Sequence, residues 1–410
     1  MRVTHSSLYD ASKTRLGTLV EEFNKANQEV STGKRINNIS DDPVGLSRVL
    51  ALRSSLANLD QVTENIRTAN TWLTEAETAL GSIEGVLGDA KVLAIAMNNA
   101  SMSNEERANA AVQIQEMLGQ ILDLANTQVN GQFLFSGTKV DTKPYAYDDP
   151  ETPSEAIYSG NEAAFTLKTG RNTNIVVGYA GDDIFDSKRL TVDDTNHKID
   201  FTEDDGSGMG AEITATIPAG TYTREEIATI IGAAMTDASA AGMTYTATYN
   251  SDKTYTFHHD GADMSLLWGS GSNAAQSIAP DIGFDPVDVS GNDLPSDNPA
   301  DWSVYKTLID LKQYLQSGSS SGIERSMTRL DTQFNNMVNA VSQIGYKGVS
   351  LDIKTSVVEE LKLSHNTQKS DIEEADIIEA ISRLQAKENA YKAALSATSR
   401  IMQLSLVDYL

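Results

Sequence analysis

A heptad repeat of apolar residues runs without interruption through the N-terminal part of the chain and restricts what this part can fold into. At 1.5 Å per residue, a helix covering the repeat would extend about 70 Å, whereas an average globular helix has roughly 11–12 residues. The pattern predicts one long helix that needs a partner along a single seam. Its two rows are Leu52, Leu59, Ile66, Leu73, Leu80, Leu87 and Ala94, and Val62, Ala69, Ala76, Ile83, Ala90 and Met97.

Capping signals predict where this helix and the next one begin. Pro43 follows two aspartates, which predicts a helix with Asp42 as N-cap and proline at the first helical position. The capping box Ser103-Asn104-Glu105-Glu106 predicts the start of a second helix. The seam is therefore expected to lie in a helix that begins at Pro43, and a second helix is expected to follow it.

The C-terminal flank carries a matching apolar stripe with alternating steps of four and three residues. Its members are Ile323, Met327, Leu330, Phe334, Met337, Val341 and Ile344, and beyond Gly345 and Gly348 the pattern resumes at Ile377, Ile381, Leu384, Tyr391, Leu395 and Met402. Neither flank can cover its stripe alone, so we expect the two to pack side by side. The predicted fold is mainly α with an α+β insertion: a long antiparallel, coiled-coil-like bundle from both flanks and a strand-rich outer domain.

The middle of the chain differs in composition and periodicity. Eight of the nine prolines lie between Pro144 and Pro299, and residues 141–300 carry 27 acidic and 8 basic side chains. Period-two alternation predicts strands at Ile199–Phe201, Ala211–Ile217, Met243–Tyr249 and Lys253–His258. The capping box Thr223-Arg224-Glu225-Glu226 predicts a helix that stops near Gly242. Residues 188–285 are therefore predicted to form a compact β/α module.

The two ends of the chain carry shorter stripes than the seam. Leu16, Leu19, Phe23, Ala26 and Val30 could pair with Leu395, Met402 and Leu406. A two-helix pair makes a thin core, so we predict that these ends become ordered only on assembly with other subunits.

Composition argues against several classes of function. The formal net charge of -25 disfavours binding to nucleic acid or to an anionic membrane surface, and the absence of cysteine removes thiolate chemistry. The five histidines have no metal-ligand spacing, and the glycine-rich segments do not lead from a strand into a helix with a phosphate-binding lysine. Acidic clusters such as Glu203-Asp204-Asp205 are interpreted as a solvated face. We expect no enzyme activity, no cofactor and no metal site.

Several segments resemble the bacterial flagellin family. Val30–Leu46, which reads VSTGKRINNISDDPVGL, is similar to the N-terminal signature of that family. Asn130–Thr138, Tyr158–Gly160, Gly181–Phe185 and the ending Glu388–Leu406 resemble a hook-filament junction member more than the filament-forming flagellin. The resemblance covers both flanks and the stretch to Phe185, whereas residues 188–285 resemble small modules inserted in some flagellar and phage-tail proteins.

The resemblance implies a structural adaptor of the flagellum. Such a protein forms a ring of subunits between another hook-associated junction protein and the flagellin filament. It is exported through the flagellar type III apparatus without a cleaved signal peptide, typically with a cytoplasmic chaperone, and its final location is extracellular. By composition alone the chain would have been expected in the cytoplasm, since its first ten residues contain no apolar signal segment.

The expected division of the chain and its functional residues follow from the stripes and the resemblance together. Residues 1–40 with 366–410 would form the assembly helices, 41–138 with 303–365 a helical rod, and 139–302 the outer acidic domain. The resemblance assigns Lys34, Arg35, Asp41 and Asp42 to the turn that connects the end helix to the rod. The predicted assembly interface consists of Leu16, Leu19, Phe23, Val30, Ile381, Leu395, Met402 and Leu406.

Two alternatives remain open from the sequence. The chain could be a flagellin-like filament subunit, which differs from an adaptor in the length of the homopolymer that it forms. The outer module could instead bind a glycan, provided that Tyr245, Tyr249, Tyr255 and Trp268 are exposed.

Overall fold

The structure is a computed structural model that describes the backbone of residues 5–149, 152–170, 172–204, 208–261 and 263–407. It describes side chains in these segments from residue 10 to residue 400. The chain divides into a terminal unit, Met1–Asn65 with Asp352–Leu410, and a central unit, Ile66–Leu351. The three-way division predicted above stays a prediction.

Long helices flank a strand-rich middle. Within the described residues the helices are α1 (His5–Thr32), α2 (Pro43–Met97), α3 (Asn104–Ala125), α4 (Gly181–Phe185), α5 (Arg224–Ala238), α6 (Val304–Ser317), α7 (Ser320–Glu373) and α8 (Ile377–Val407). The strands are β1 (Gln128–Val129), β2 (Gln132–Phe133), β3 (Tyr145–Tyr147), β4 (Ala156–Tyr158), β5 (Thr166–Lys168), β6 (Asn174–Val176), β7 (Arg189–Val192), β8 (Lys198–Glu203), β9 (Ile213–Thr216), β10 (Gly220–Thr223), β11 (Tyr245–Tyr249), β12 (Tyr255–His259), β13 (Met264–Leu266), β14 (Val289–Gly291) and β15 (Asp293–Pro295). None of the described helices is long and apolar enough to cross a membrane.

The predicted seam is confirmed in the central unit. All nine seam residues from Ile66 to Ala94 are buried. Lys91 of α2 pairs with Asp331 of α7, and a Cβ on Gly88 would lie 3.9 Å from Phe334, so the two helices run antiparallel there. Leu330, Met337 and Ile344 of α7 are buried as predicted. The apolar stripes thus cover each other, as expected for helices that cannot bury their faces alone.

The helix limits agree with most of the predicted signals. The capping boxes at Ser103 and Thr223 are both formed, and the Gly45 backbone N–H donates to the Asp42 carboxylate at 2.8 Å at the start of α2. However, α7 continues through Gly345 and Gly348 to Glu373, because a helix tolerates isolated glycines at a cost of about 1 kcal/mol each.

The strand-rich module, residues 189–302, contains three antiparallel sheets, with orders β14-β13-β8-β9, β11-β12-β15 and β10-β7. Tyr245 opposes His259 in the β11–β12 pair, and α5 packs against β9, β10 and β11. The four predicted strands and the predicted helix are present. The module core also includes Leu294, Ala300 and Trp302, so it extends past the predicted limit at residue 285.

Burial in the module contradicts the condition of one alternative, glycan binding, and the interpretation of the Glu203 cluster as a solvated face. Tyr245 and Tyr255 are at most 3% exposed because they lie on the inward faces of β11 and β12, and Tyr249 is partly buried. Trp268, which follows β13, is 1% exposed because its ring packs against those of Phe257 and Phe284. The aromatic surface needed for glycan binding is therefore absent from these four residues. Glu203 is also buried, and it accepts hydrogen bonds from the backbone N–H groups of Ala240 and Ala241, both within 2.8 Å.

Candidate assembly surface of the terminal unit

The terminal unit is built around the pair α1–α8. The rings of Phe23 and Tyr391 stack with centroids 6.2 Å apart. Ion pairs join Glu29 to Arg383 at 2.8 Å and Glu22 to Lys387 at 2.7 Å. Residue numbers increase along α8 from Arg383 to Tyr391 while those of their partners decrease along α1 from Glu29 to Phe23. The two helices are therefore antiparallel, as expected from the terminal stripes.

The predicted interface residues have different environments in this pair. Leu16, Leu19, Phe23 and Val30 are partly buried along α1. On α8, Ile381 is 42% exposed and Leu395 41% exposed, so neither is covered by α1. Met402 and Leu406 lie outside the residues whose side chains are described. Fully buried apolar residues of the pair are small, such as Ala26 and Ala380, and such residues bury little surface.

Exposed apolar side chains concentrate on the terminal unit. Of the 19 large apolar side chains that are exposed among the described residues, 11 belong to this unit, although it contributes only 5 of the 65 buried apolar residues. Exposed apolar side chains that are concentrated in one region of a protein suit an interaction site better than singly scattered ones, which are normal. We call these 11 residues the terminal apolar surface: Ile39, Val44, Leu50, Ile353, Val357, Leu361, Leu363, Ile377, Ile378, Ile381 and Leu395.

Sequence reasoning found only two members of this surface. Ile353, Val357 and Leu361 follow one another at steps of four on α7, and that spacing could have indicated one helix face. It would not have shown that the face is exposed. The most exposed member is Ile378, at 83%, near the start of α8, where the neighbouring Ile377 and Ile381 are 44% and 42% exposed.

The turn between α1 and α2 packs against the break between α7 and α8. Gly33 ends α1 with φ +68°, a conformation that glycine adopts without steric cost. The Arg35 backbone N–H donates to the Glu373 carbonyl at 2.8 Å, and the Ala375 N–H donates to the Gly33 carbonyl at 3.0 Å. These bonds satisfy backbone groups left over at the helix ends.

Glu373 is the charged centre of this junction. Its buried carboxylate accepts hydrogen bonds from Lys34 and, at 2.6 Å, from Arg53. Arg35 donates to the Ile372 carbonyl at 2.8 Å. The turn motif therefore binds the end of α7, and Glu373 and Arg53 are contact residues of the turn that the sequence did not reveal.

The two predicted aspartates stabilise the turn itself. Asp41 accepts hydrogen bonds from the backbone N–H groups of Asn37 and Asn38 and pairs with Lys25 at 2.9 Å. Asp42 caps α2 and lies 3.5 Å from Arg35. A Cβ on Gly45 would come within 2.8 Å of Ile36 as well as against Asp42, which explains glycine at this point of the motif.

The neighbouring cations shift two of these carboxylates. The hydrogen bonds from Lys25 and from the Asn38 backbone lower the pKa of Asp41. Burial by itself would raise the pKa of Glu373, but the hydrogen bond from Lys34 and the charge of Arg53 outweigh burial and lower it. Both carboxylates are thus held in the charged form.

The described residues contain no group of three or more His, Asp or Glu side chains that could hold a metal ion. What the terminal unit offers is an apolar surface on long helices, supported by a hydrogen-bonded turn. Such a surface is typical of a site of protein association.

Comparison with known protein families finds matches to both helical flanks. The model of the bacterial flagellin N-terminal helical region matches residues 3–140, and the model of the C-terminal helical region matches residues 327–410. The two matches together cover more than half of the chain and include both partners of the α1–α8 and α2–α7 pairs. The chain belongs to the bacterial flagellin family, whose members are structural proteins of the flagellum.

Curated relatives include both junction proteins and flagellins. The chain is 29% identical over 188 residues to flagellar hook-associated protein 3 of Escherichia coli, which covers 46% of this chain and 57% of that protein. The corresponding protein of Salmonella typhimurium is 28% identical over the same length. The flagellin of Clostridium tyrobutyricum is 23% identical over 181 residues, or 44% of this chain and 47% of that one. The chain thus spans just over half the length of the hook-associated relatives.

Among solved structures, one described as that of a flagellar hook-associated protein from Vibrio parahaemolyticus has the same fold. It is 15% identical, with a TM-score of 0.50, and the match covers 82% of this chain and all of that chain. The helical flanks with a strand-rich middle are therefore a known arrangement.

Proposed function

We propose that this protein is a structural adaptor at the hook-filament junction of the bacterial flagellum. The observation that carries the proposal is the terminal apolar surface, since its apolar side chains stay exposed among the residues that the structure describes. The flagellin-family match covers both helical flanks, and the two hook-associated relatives support the junction position.

In this proposal the subunits form a ring through heterologous contacts. An adaptor needs two unlike axial neighbours, namely an adjacent hook-associated junction protein on one side and flagellin on the other. The predicted interface residues of α1 and α8 would then become buried when subunits meet. Leu16, Leu19, Phe23, Val30, Ile381, Leu395, Met402 and Leu406 stay candidates for this interface. The protein would then act by binding its neighbouring subunits and not by catalysing a reaction.

The proposal includes the route to that position. An apolar helical surface of this kind would need cover before export, so we expect a cytoplasmic export chaperone to bind the terminal unit. Export through the flagellar type III apparatus and an extracellular final location complete the proposal. We propose no enzyme activity.

The test is reconstitution on purified hooks that end in the first junction protein, followed by addition of flagellin and filament counting by electron microscopy. The full chain should permit filament growth. Ile378→Asp, which places a charge on the terminal apolar surface, should reduce growth strongly. Val287→Asp changes a valine of the module that is 63% exposed and should leave growth unchanged. Growth that needs no added chain, or equal growth with both variants, would contradict the proposal.

A flagellin-like filament subunit is the second candidate, because the family and the Clostridium relative are shared with flagellins. Short filament seeds mixed with purified chain separate the two. A filament subunit would extend the seeds into long homopolymers, whereas an adaptor would add at most a short terminal layer. Removal of residues 1–40 and 370–410 should abolish either reaction while the remaining chain still unfolds cooperatively.

A further inference from the structure

One face of α7 in the central unit is polar where it meets the strand-rich module. Five side chains lie at steps of three and one, the spacing of one helix face. All five contact the module or the segment that leaves it, and none is apolar. They are Arg325, Thr328, Arg329, Thr332 and Gln333.

Arg329 is the buried centre of this face. Its Nε donates to the Asp281 carboxylate of the module at 2.8 Å, and its Nη1 donates to Asp310 of α6 at 2.6 Å. Asp281 is 0% exposed and also accepts a hydrogen bond from Asn196 at 3.0 Å. Removing one partner of such a buried ion pair is strongly destabilising, because the other charge is left buried without compensation.

The flanking contacts extend the polar face in both directions along α7. Arg325 donates through one nitrogen to the carbonyls of Thr195 at 2.8 Å and Ser277 at 2.7 Å. Thr328 donates to Asp193 at 2.8 Å. Two further contacts follow, from Thr332 to Thr191 at 3.5 Å and from Gln333 to the Trp302 carbonyl. We call this set of contacts the polar latch.

The module has a hydrophobic core of its own. The 23 buried apolar residues of this core all lie between Leu190 and Trp302, so none comes from α7. The chain enters and leaves the module through two adjacent segments, where the Ser187 N–H donates to the Trp302 carbonyl at 3.2 Å. A separately cored body on two neighbouring connections can turn about them unless other contacts prevent it.

We propose that the polar latch holds the strand-rich module in one orientation on α7, and that loss of the latch releases the module without unfolding it. Replacing a buried ion network by apolar residues of similar volume is often neutral or stabilising, so we attribute this network to orientational specificity rather than to stability. The latch would thereby decide which surface of the module faces outward. This inference does not depend on the junction proposal.

The chain has no cysteine, so pairs of spin labels can be placed without background. Labels at Val287→Cys in the module and Asn335→Cys on α7, both exposed sites, report their distance in the full chain. The starting protein should give one narrow distance distribution. Arg329→Met removes the closer of the two cations at Asp281 and leaves only the Arg325 Nε, 3.9 Å from that carboxylate. The substitution should increase the undocked population roughly a hundredfold, which broadens the distribution.

Lys91→Met is the matched control, because it removes the ion pair from Lys91 to Asp331 on α7 outside the latch. It should keep the narrow distribution. Amide exchange of β8 and β12 should stay slow in Arg329→Met, since these strands lie in the module core. A narrow distribution in Arg329→Met, or loss of protection in β8 and β12, would overturn the proposal.

A second pair of measurements covers the case in which Arg329→Met does not fold. The double substitution Thr328→Val with Gln333→Leu removes two hydrogen bonds of the latch and does not remove a charged side chain. The spin-label distance and the amide exchange of β8 and β12 are measured in the same way. Separately, Thr191→Cys with Thr332→Cys should form a disulfide in air, because the threonine oxygens lie 3.5 Å apart. Failure of that disulfide to form in the otherwise unchanged chain would also contradict the docked orientation.

Discussion

The terminal and central units are built from the same kind of long amphipathic helix, but they cover it to different extents. Leu80 and Leu87 of α2 are fully buried in the central unit, whereas Leu52 and Leu59, in the same heptad row, are only partly buried in the terminal unit. The central unit holds 60 of the 65 buried apolar residues among those described. Heptad spacing thus fixes which face is apolar, while the neighbouring layers decide how completely it is covered.

The sharpest way to break this comparison is to shorten the same residue type in both units. Leu80→Ala should cost about 2–5 kcal/mol of unfolding free energy, because it leaves a cavity in a closed core. Leu52→Ala should cost less than about 1.5 kcal/mol, since the side chain is already partly in water. Urea unfolding followed by circular dichroism and amide exchange measures both. Equal losses would mean that the terminal seam is as well packed as the central one.

Glu373→Gln tests whether the connecting turn depends on its shared carboxylate. We expect a loss of about 1–2 kcal/mol in the local opening free energy around the turn, less than for a fully buried ion pair because Lys34 and Arg53 are half exposed. Amide exchange of residues 33–36 gives this value. Glu379→Gln, on a carboxylate that is 68% exposed, is the control and should change little. An equal response to both substitutions would remove Glu373 from its central role.

Acid should weaken the same turn in a defined direction. The pKa of Glu373 and that of Asp41 are lowered in the folded state, so each contributes stability that is present above its unfolded pKa, near 4. That stability is lost as the pH falls from this value through the lower folded pKa. Exchange-derived opening free energies of the turn, corrected for the intrinsic exchange rate at each pH, should be level from pH 7 to 5 and then fall. A Glu373→Gln chain should show a smaller fall, and an unchanged fall would assign the effect to other carboxylates.

The smallest expected effect concerns the aromatic contact of the α1–α8 pair. Phe23→Leu removes the stack on Tyr391 while keeping an apolar side chain, and it should cost about 0.5–1.5 kcal/mol. Lys392→Ala, which breaks a surface pair with Glu388, should cost no more than about 0.5 kcal/mol. Chemical denaturation of the full chain, monitored by hydrogen exchange of the α1 amides, measures the stability loss for each of the two substitutions. A larger loss for Lys392→Ala would mean that surface charge, not ring packing, holds the pair.

Local signals in the sequence predicted most of the elements. The seam, the caps at Asp42, Ser103 and Thr223, and the four module strands rest on spacing and turn chemistry within a few residues. The buried face of a strand is harder to predict, because alternation at Tyr245 and Tyr255 shows that each strand has two faces but not which face points inward. The sequence therefore leaves the exposure of these tyrosines open.

The candidate site was only partly predictable. Lys34 and Glu373 are 339 positions apart, and no local pattern connects a turn near one end of the chain with a helix break near the other. The same holds for the latch, in which α7 meets carbonyls and carboxylates from distant loops. Such contacts depend on the completed fold, because chain topology brings the partners together.

The central claim is that the terminal helices are stabilised by neighbouring subunits more than by the chain itself. Hydrogen exchange on the purified monomer tests it directly, by comparing α1 and α8 with the Ile66–Met97 part of α2. The account predicts rapid exchange in α1 and α8 and slow exchange in that part of α2. Equal, strong protection of all three would contradict it, because the terminal pair would then be a self-sufficient bundle.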